Sequence, residues 1–89
     1  MIKVYSKPDC MQCKMTKKFL IQHNLEFVEI NAYEHEKMSS LIKGNVYRTL
    51  PVVEVILDYI YPDELWWDVW CGFQIGRLEE IYRLESLYK

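Results

Sequence analysis

The chain is short of the residues that interrupt or staple a small protein. It has three glycines, three prolines and three cysteines among 89 residues. No low-complexity tract, linker or internal repeat can be marked out. Three cysteines, an odd number, do not make a disulfide scaffold. There is no excess of positive charge: the formal net charge is -2 and the isoelectric point about 5.6, so no global basic field attracts nucleic acid. No apolar run approaches the about 18 residues that would span a membrane. No glycine-rich nucleotide fingerprint is present, so no bound flavin or nicotinamide is expected. A second CxxC and an HxxxH are also missing, and with them the ligands to complete a structural zinc site around His23, His35 and the cysteines. The opening residues, Met1-Ile2-Lys3-Val4-Tyr5, read as structured sequence rather than a signal or transit peptide. A cytoplasmic location is expected.

The chain is rich in apolar residues: 51% are hydrophobic and 15% aromatic, which excludes a disordered tail. The length predicts one domain spanning residues 1–89. Charge is unevenly placed. Lys3, Lys7, Lys14, Lys17 and Lys18 against Asp9 give residues 1–25 a balance of +4. Glu54, Asp58, Asp63, Glu64 and Asp68 give residues 54–70 a balance of -5. Solvated faces account for this most simply; an oriented partner is the alternative.

Alternation over Ile2–Tyr5 predicts a first strand, and Ser6-Lys7-Pro8-Asp9 a turn. Helix formers from Met11 to about Gln22 predict a helix with Met15, Phe19 and Leu20 as its apolar stripe, ended by Asn24. Glu26–Ile30 reads as strand two, and Glu34–Lys43 as helix two, stopped by Gly44-Asn45. Pro51–Ile60 and Leu65–Cys71 read as strands joined at Tyr61-Pro62-Asp63-Glu64. Gly72–Gly76 is expected to be a loop. Leu78, Ile81, Tyr82, Leu84 and Leu87 give a last helix its apolar face. The order β-α-β-α-β-β-α implies an α/β fold: a four-stranded mixed sheet with three helices and an extended hairpin between strands three and four.

The chemistry concentrates at Cys10-Met11-Gln12-Cys13. The pair sits where a strand-turn enters a helix, and residues three apart share a helix face, so the sulfurs can meet. Unpaired N–H groups and the positive helix end favour a thiolate at Cys10; Lys7 and Lys14 add to this and Asp9 opposes it. Cys13 is expected to be more buried. Such asymmetry suits dithiol exchange: Cys10 attacks a disulfide, and Cys13 resolves the mixed disulfide. Met11 reads as an exposed residue that touches substrate.

Three segments carry a wider resemblance: Val4–Cys13, Tyr47-Arg48-Thr49-Leu50-Pro51-Val52-Val53, and Trp70-Cys71-Gly72-Phe73-Gln74. The chain resembles the glutaredoxin branch of the thioredoxin-like proteins, and most closely the NrdH-type redoxins, over nearly its whole length. The resemblance implies a cis bond before Pro51 and a substrate groove shaped by Thr49, Leu50 and Pro51. It implies secondary recognition by Trp70, Gly72 and Phe73. Thioredoxin reductase would be the electron donor and class Ib ribonucleotide reductase the acceptor. Gln12 stands where glutathione-using glutaredoxins have an aromatic residue, and Gly72–Gly76 lacks their carboxylate. Lys7 leaves room for weak glutathione use. The chain departs from the family pattern at Cys71, usually Ser, and at Ile75-Gly76, usually Pro-Asp/Glu, where Gly76 would serve as the N-cap of the last helix. It also carries roughly ten extra residues between Val53 and Trp70.

Two other readings compete with an NrdH-type electron carrier: a glutathione-dependent glutaredoxin, and an interaction or metal-binding module on a redoxin fold. Trp66, Trp67, Trp70, Tyr59 and Tyr61 crowd the hairpin, as cross-strand pairs or as a docking patch. A monomer is expected, with dimerisation through that hairpin as the alternative. Cys71 reads as a small buried hydrophobe, His23 as a cap of helix one, and His35 as a solvated side chain.

Overall fold

The computed structural model describes residues 1–61 and 64–88. The elements are β1 (Ile2–Ser6), α1 (Met11–Gln22), β2 (Val28–Asn31), α2 (Glu36–Lys43), β3 (Val52–Tyr61), β4 (Glu64–Cys71) and α3 (Ile75–Tyr88). They build the expected four-stranded mixed sheet, in the order β2-β1-β3-β4. β1 pairs parallel to β2 and antiparallel to β3, and β3 pairs antiparallel to β4. Pro62 and Asp63, the centre of the expected hairpin turn, lie outside the described residues.

Side-chain alternation sorts the sheet into two faces. Ile2 and Val4 of β1, Val53, Val55 and Leu57 of β3, and Trp70 of β4 join Phe19 and Leu20 of α1 and Leu78 and Ile81 of α3 in one core. The opposite face carries Tyr5, Val52, Val69 and Cys71. There Met38 and Ile42 of α2 pack with Cys10, Cys13 and Leu50. Full burial of one such aliphatic side chain contributes about 1.5–3 kcal/mol. The second core is smaller and includes both redox sulfurs.

Five local expectations need correction. Strand two begins at Val28, because its ladder on β1 starts only at Lys3 opposite Val28. Helix two begins at Glu36: Asn31 Oδ1 accepts from the Tyr33 N–H at 2.9 Å, which holds residues 31–34 in a turn. His35 is then half-buried rather than solvated, and its Nδ1 caps α2 by accepting from the Met38 N–H at 3.1 Å. The apolar stripe of α1 runs through Thr16, not Met15. Thr16 is fully buried with its hydroxyl donating to Gln12 C=O at 2.9 Å, and Met15 is exposed. Finally, Gly76 lies inside the first turn of α3. Gln74 precedes that helix, and its C=O accepts the Leu78 N–H at 3.2 Å.

Candidate redox site

β1 ends at Ser6, and the Lys7–Asp9 turn delivers the chain to α1. Asp9 takes a positive φ of 58°, an arrangement that Asp tolerates better than most residues. Cys10 is the N-cap of α1 with extended backbone, and its Sγ accepts the Cys13 N–H at 3.2 Å. A sulfur thus occupies the place of the usual capping oxygen, facing the unpaired amides of the first turn. The same amide that caps the helix would stabilise negative charge on this sulfur once the dithiol form is reached.

Cys10 and Cys13 form a disulfide, with Cα atoms 5.2 Å apart. Both are buried, Cys10 at 8% exposure and Cys13 at 1%. Cys10 is thus the more accessible of the two.

The Leu50–Pro51 peptide bond is cis, as the resemblance implied. Leu50 C=O lies 3.6 Å from Cys10 Sγ. In the dithiol form a Cys10 thiol at this position would have that carbonyl as an acceptor. Pro51 C=O accepts the Gly72 N–H at 2.8 Å, so the loop after β4 is fastened beside the cis proline.

A groove of about 360 Å³ runs past Cys10. Lys7, Met11, Gln12, Thr49 and Leu50 line it, all named from the sequence. Met11 is exposed, as expected. The same groove is also walled by Asp9, Tyr33, Ile42, Tyr47 and Arg48. Tyr47 and Arg48 adjoin the Thr49-Leu50-Pro51 segment and were within reach of sequence reasoning. Tyr33 and Ile42 arrive through the turn before α2 and through α2 itself, with no local signal to mark them.

Gln12 Oε1 accepts the Phe73 N–H at 2.8 Å, which brings Gly72 and Phe73 to the rim of the site. The Phe73 ring packs on the margin of the larger core. Trp70 stands apart. It is 4% exposed and belongs to the core under α1 and α3, so its ring faces away from the groove. The reason is parity: Trp70 opposes Val53, whereas Cys71 opposes Val52 on the redox face. The Arg77 guanidinium sits 5.6 Å above the Trp70 ring and pairs with Asp68.

The free thiol of Cys71 is half-buried, not enclosed. The Thr49 hydroxyl beside it, joined by backbone N–H groups of Thr49 and Arg48, holds it below the ordinary thiol range against the opposing effect of burial. Glu29 on β2 is likewise held below the usual carboxylate range, chiefly by Lys17 and also by Ser6. Among the described residues, no group of three or more His, Cys, Asp or Glu is placed to hold a metal ion. No helix among them is long and apolar enough to cross a membrane.

A disulfide at a helix N-terminus, facing a cis proline on a four-stranded mixed sheet with three helices, defines a thiol–disulfide oxidoreductase with a thioredoxin-like fold. The chain belongs to the glutaredoxin family, whose pattern it matches over residues 2–58. It is 43% identical over 53 residues to the glutaredoxin-like protein NrdH of Lactococcus lactis subsp. cremoris, covering 60% of this chain and 74% of that protein. It is 41% identical over 59 residues to an uncharacterized glutaredoxin-like 8.6 kDa protein in the rubredoxin operon of Clostridium pasteurianum, covering 62% and 75% of the two chains. The fold superposes on the glutaredoxin-like protein NrdH-redoxin from Escherichia coli with a TM-score of 0.69 and 25% identity, over 90% of this chain and 92% of that one. The thioredoxin-like protein BC3987 superposes with a TM-score of 0.64 and 27% identity, over 91% and 99% of the two chains. The redox-active group is the Cys10–Cys13 disulfide itself.

Proposed function

We propose that this redoxin is an electron carrier of the NrdH type, with Cys10 as nucleophile and Cys13 as resolving thiol. The observation that carries the reading is the position of Cys10: the more accessible sulfur, at the helix N-terminus, facing an open groove. The Cys10 thiolate attacks one sulfur of a partner disulfide. A mixed disulfide forms and a partner thiolate leaves. Cys13, deprotonated, then attacks Cys10 Sγ, releasing the second partner thiolate and restoring Cys10–Cys13. Two electrons reach the partner, and the two cysteine protons end on its thiols or in solvent.

The NrdH-type redoxins that the chain resembles take electrons from thioredoxin reductase and pass them to class Ib ribonucleotide reductase, and these are the donor and acceptor proposed here. Identity to a named NrdH protein supports this. So does the loop after β4: Gln12 occupies the Phe73 N–H, and the segment Gly72–Gly76 carries no acid to grip the amino group of glutathione. Leu50, beside Cys10, would offer backbone to an extended substrate segment.

The test is NADPH consumption in two parallel assays. One contains thioredoxin reductase, this protein and a protein disulfide; the other contains glutathione and glutathione reductase. Turnover in the first alone is expected. Turnover in the second alone would make the chain a glutathione-dependent glutaredoxin. Cys10→Ser should abolish turnover, and Cys13→Ser should trap mixed disulfides.

A further inference from the structure

A second cavity, of about 310 Å³, lies on the redox face between α2 and the β3–β4 hairpin. Its walls include Tyr5, His35, Tyr47, Trp67 and the carboxylate of Glu54. Tyr47 also lines the groove beside Cys10, so the two depressions share a wall.

Glu54 is fixed but engaged in no ion pair. Its Oε2 accepts the Trp67 indole N–H at 3.1 Å. The ion pairs among the described residues are Lys17–Glu29 and Arg77–Asp68, neither of which involves Glu54. Lys3, opposite Glu54 in the β1–β3 register, leaves it unpaired. So does Lys37, exposed at the cavity rim. Together with burial, the negative charge of Glu54 raises the phenol of Tyr5 above its ordinary range, so the carboxylate acts across the cavity. Trp67 remains 57% exposed, with its aromatic surface open to a ligand.

Aromatic faces around a half-buried carboxylate are the arrangement that receives an organic cation. Arginine suits it best, since a guanidinium can stack on an indole while pairing with a carboxylate. We infer that this cavity is a docking subsite for a basic side chain, arginine before lysine, on the protein whose disulfide enters the Cys10 groove. The inference rests on reading that groove as the seat of a protein disulfide. Because Tyr47 separates the two depressions, an extended segment engaged beside Leu50 can pass over it and place a basic residue against Glu54 and Trp67.

The first test does not depend on turnover. Oxidised, nitrogen-15-labelled protein is titrated with N-acetyl-arginine amide and with the neutral isostere N-acetyl-citrulline amide. A saturable shift of the Trp67 indole N–H signal is expected with the arginine compound only, and its loss in a folded Glu54→Gln variant. No shift, an equal shift with citrulline, or a shift that survives Glu54→Gln overturns the subsite. Lys37→Gln, which removes the rim cation, should tighten binding. Binding seen only in Lys37→Gln would make Lys37 itself the occupant and overturn the proposal.

The second test compares kcat/KM for disulfide peptides carrying arginine or citrulline at successive distances from the cysteine. A preference for arginine of about fivefold at one spacing, clearly reduced in Glu54→Gln, is expected from a cation–aromatic contact with a charge pair. Parity at every spacing in the wild type overturns the link to the groove. A Trp67 shift in a protein silent in both NADPH assays would sink the electron-carrier reading while leaving the cation site standing.

Discussion

The side chain of Gln12 reaches across the site to accept the backbone N–H of Phe73 at 2.8 Å, joining residues 61 positions apart in sequence. One end of this bond lies between the two cysteines and the other in the loop after β4. Gln12→Ala should leave the Phe73 amide to solvent. The expected result is faster hydrogen exchange at Phe73 with the sheet amides unaffected, and a stability loss of about 0.5–1.5 kcal/mol. Amide exchange followed by NMR checks both parts.

Gly72 is held in the same corner. Its φ is +80°, and a Cβ there would lie 3.0 Å from both Gln12 Oε1 and Thr49 Oγ1. Gly72→Ala must therefore strain the backbone and push on the Gln12 clamp together. A loss of about 1–3 kcal/mol is expected, read as a lower urea midpoint. Gly76 differs: nothing lies within 4 Å of a Cβ built there. Gly76→Ala, inside the first turn of α3, should be neutral or stabilising by up to about 1 kcal/mol.

Much of this arrangement was legible in the sequence, for a local reason. The CxxC spacing, the strand-turn before it and the helix formers after it all act within a few residues, and α1 forms over the expected span. The parity of β4 was also written in Trp70 and Cys71, but which parity faces the redox site depends on pairing with β3, a contact distant in sequence. Trp70 therefore read as a recognition residue while its ring enters the opposite core. His35 was opaque for another reason. Its neighbours Glu34, Glu36 and Lys37 suggest a solvated stretch, yet the turn at Asn31 rotates His35 under Tyr5, with ring centroids 5.3 Å apart. The cis bond before Pro51 came from family resemblance, since local sequence weakly distinguishes cis from trans.

Glu29 should titrate below an ordinary carboxylate because Lys17, and then Ser6, hydrogen-bond its charged form. The contribution is fully present above the unfolded carboxylate pKa of about 4.3. It is lost as pH falls through the lower folded-state value. Both partners are partly exposed, so the effect on stability should stay under about 1 kcal/mol. Carbon-13 titration of the Glu29 carboxyl should show its midpoint moving up in Lys17→Met. An unchanged midpoint would remove Lys17 as the cause.

Thr49 links the substrate groove to the third cysteine. Its hydroxyl is the main influence holding the Cys71 thiol below the ordinary range, ahead of the backbone N–H groups of Thr49 and Arg48. With Cys10 and Cys13 joined, Cys71 is the free thiol, so alkylation of the oxidised protein reports on it directly. Thr49→Val removes the hydroxyl at nearly constant volume. The thiolate loses its strongest donor while burial continues to oppose it, so the onset of alkylation by iodoacetamide should move to higher pH. Thr49→Ser keeps a hydroxyl and should restore the wild-type profile. A profile identical in Thr49→Val and wild type would show that the backbone N–H groups suffice. Thr49 would then matter only as a wall of the groove beside Cys10.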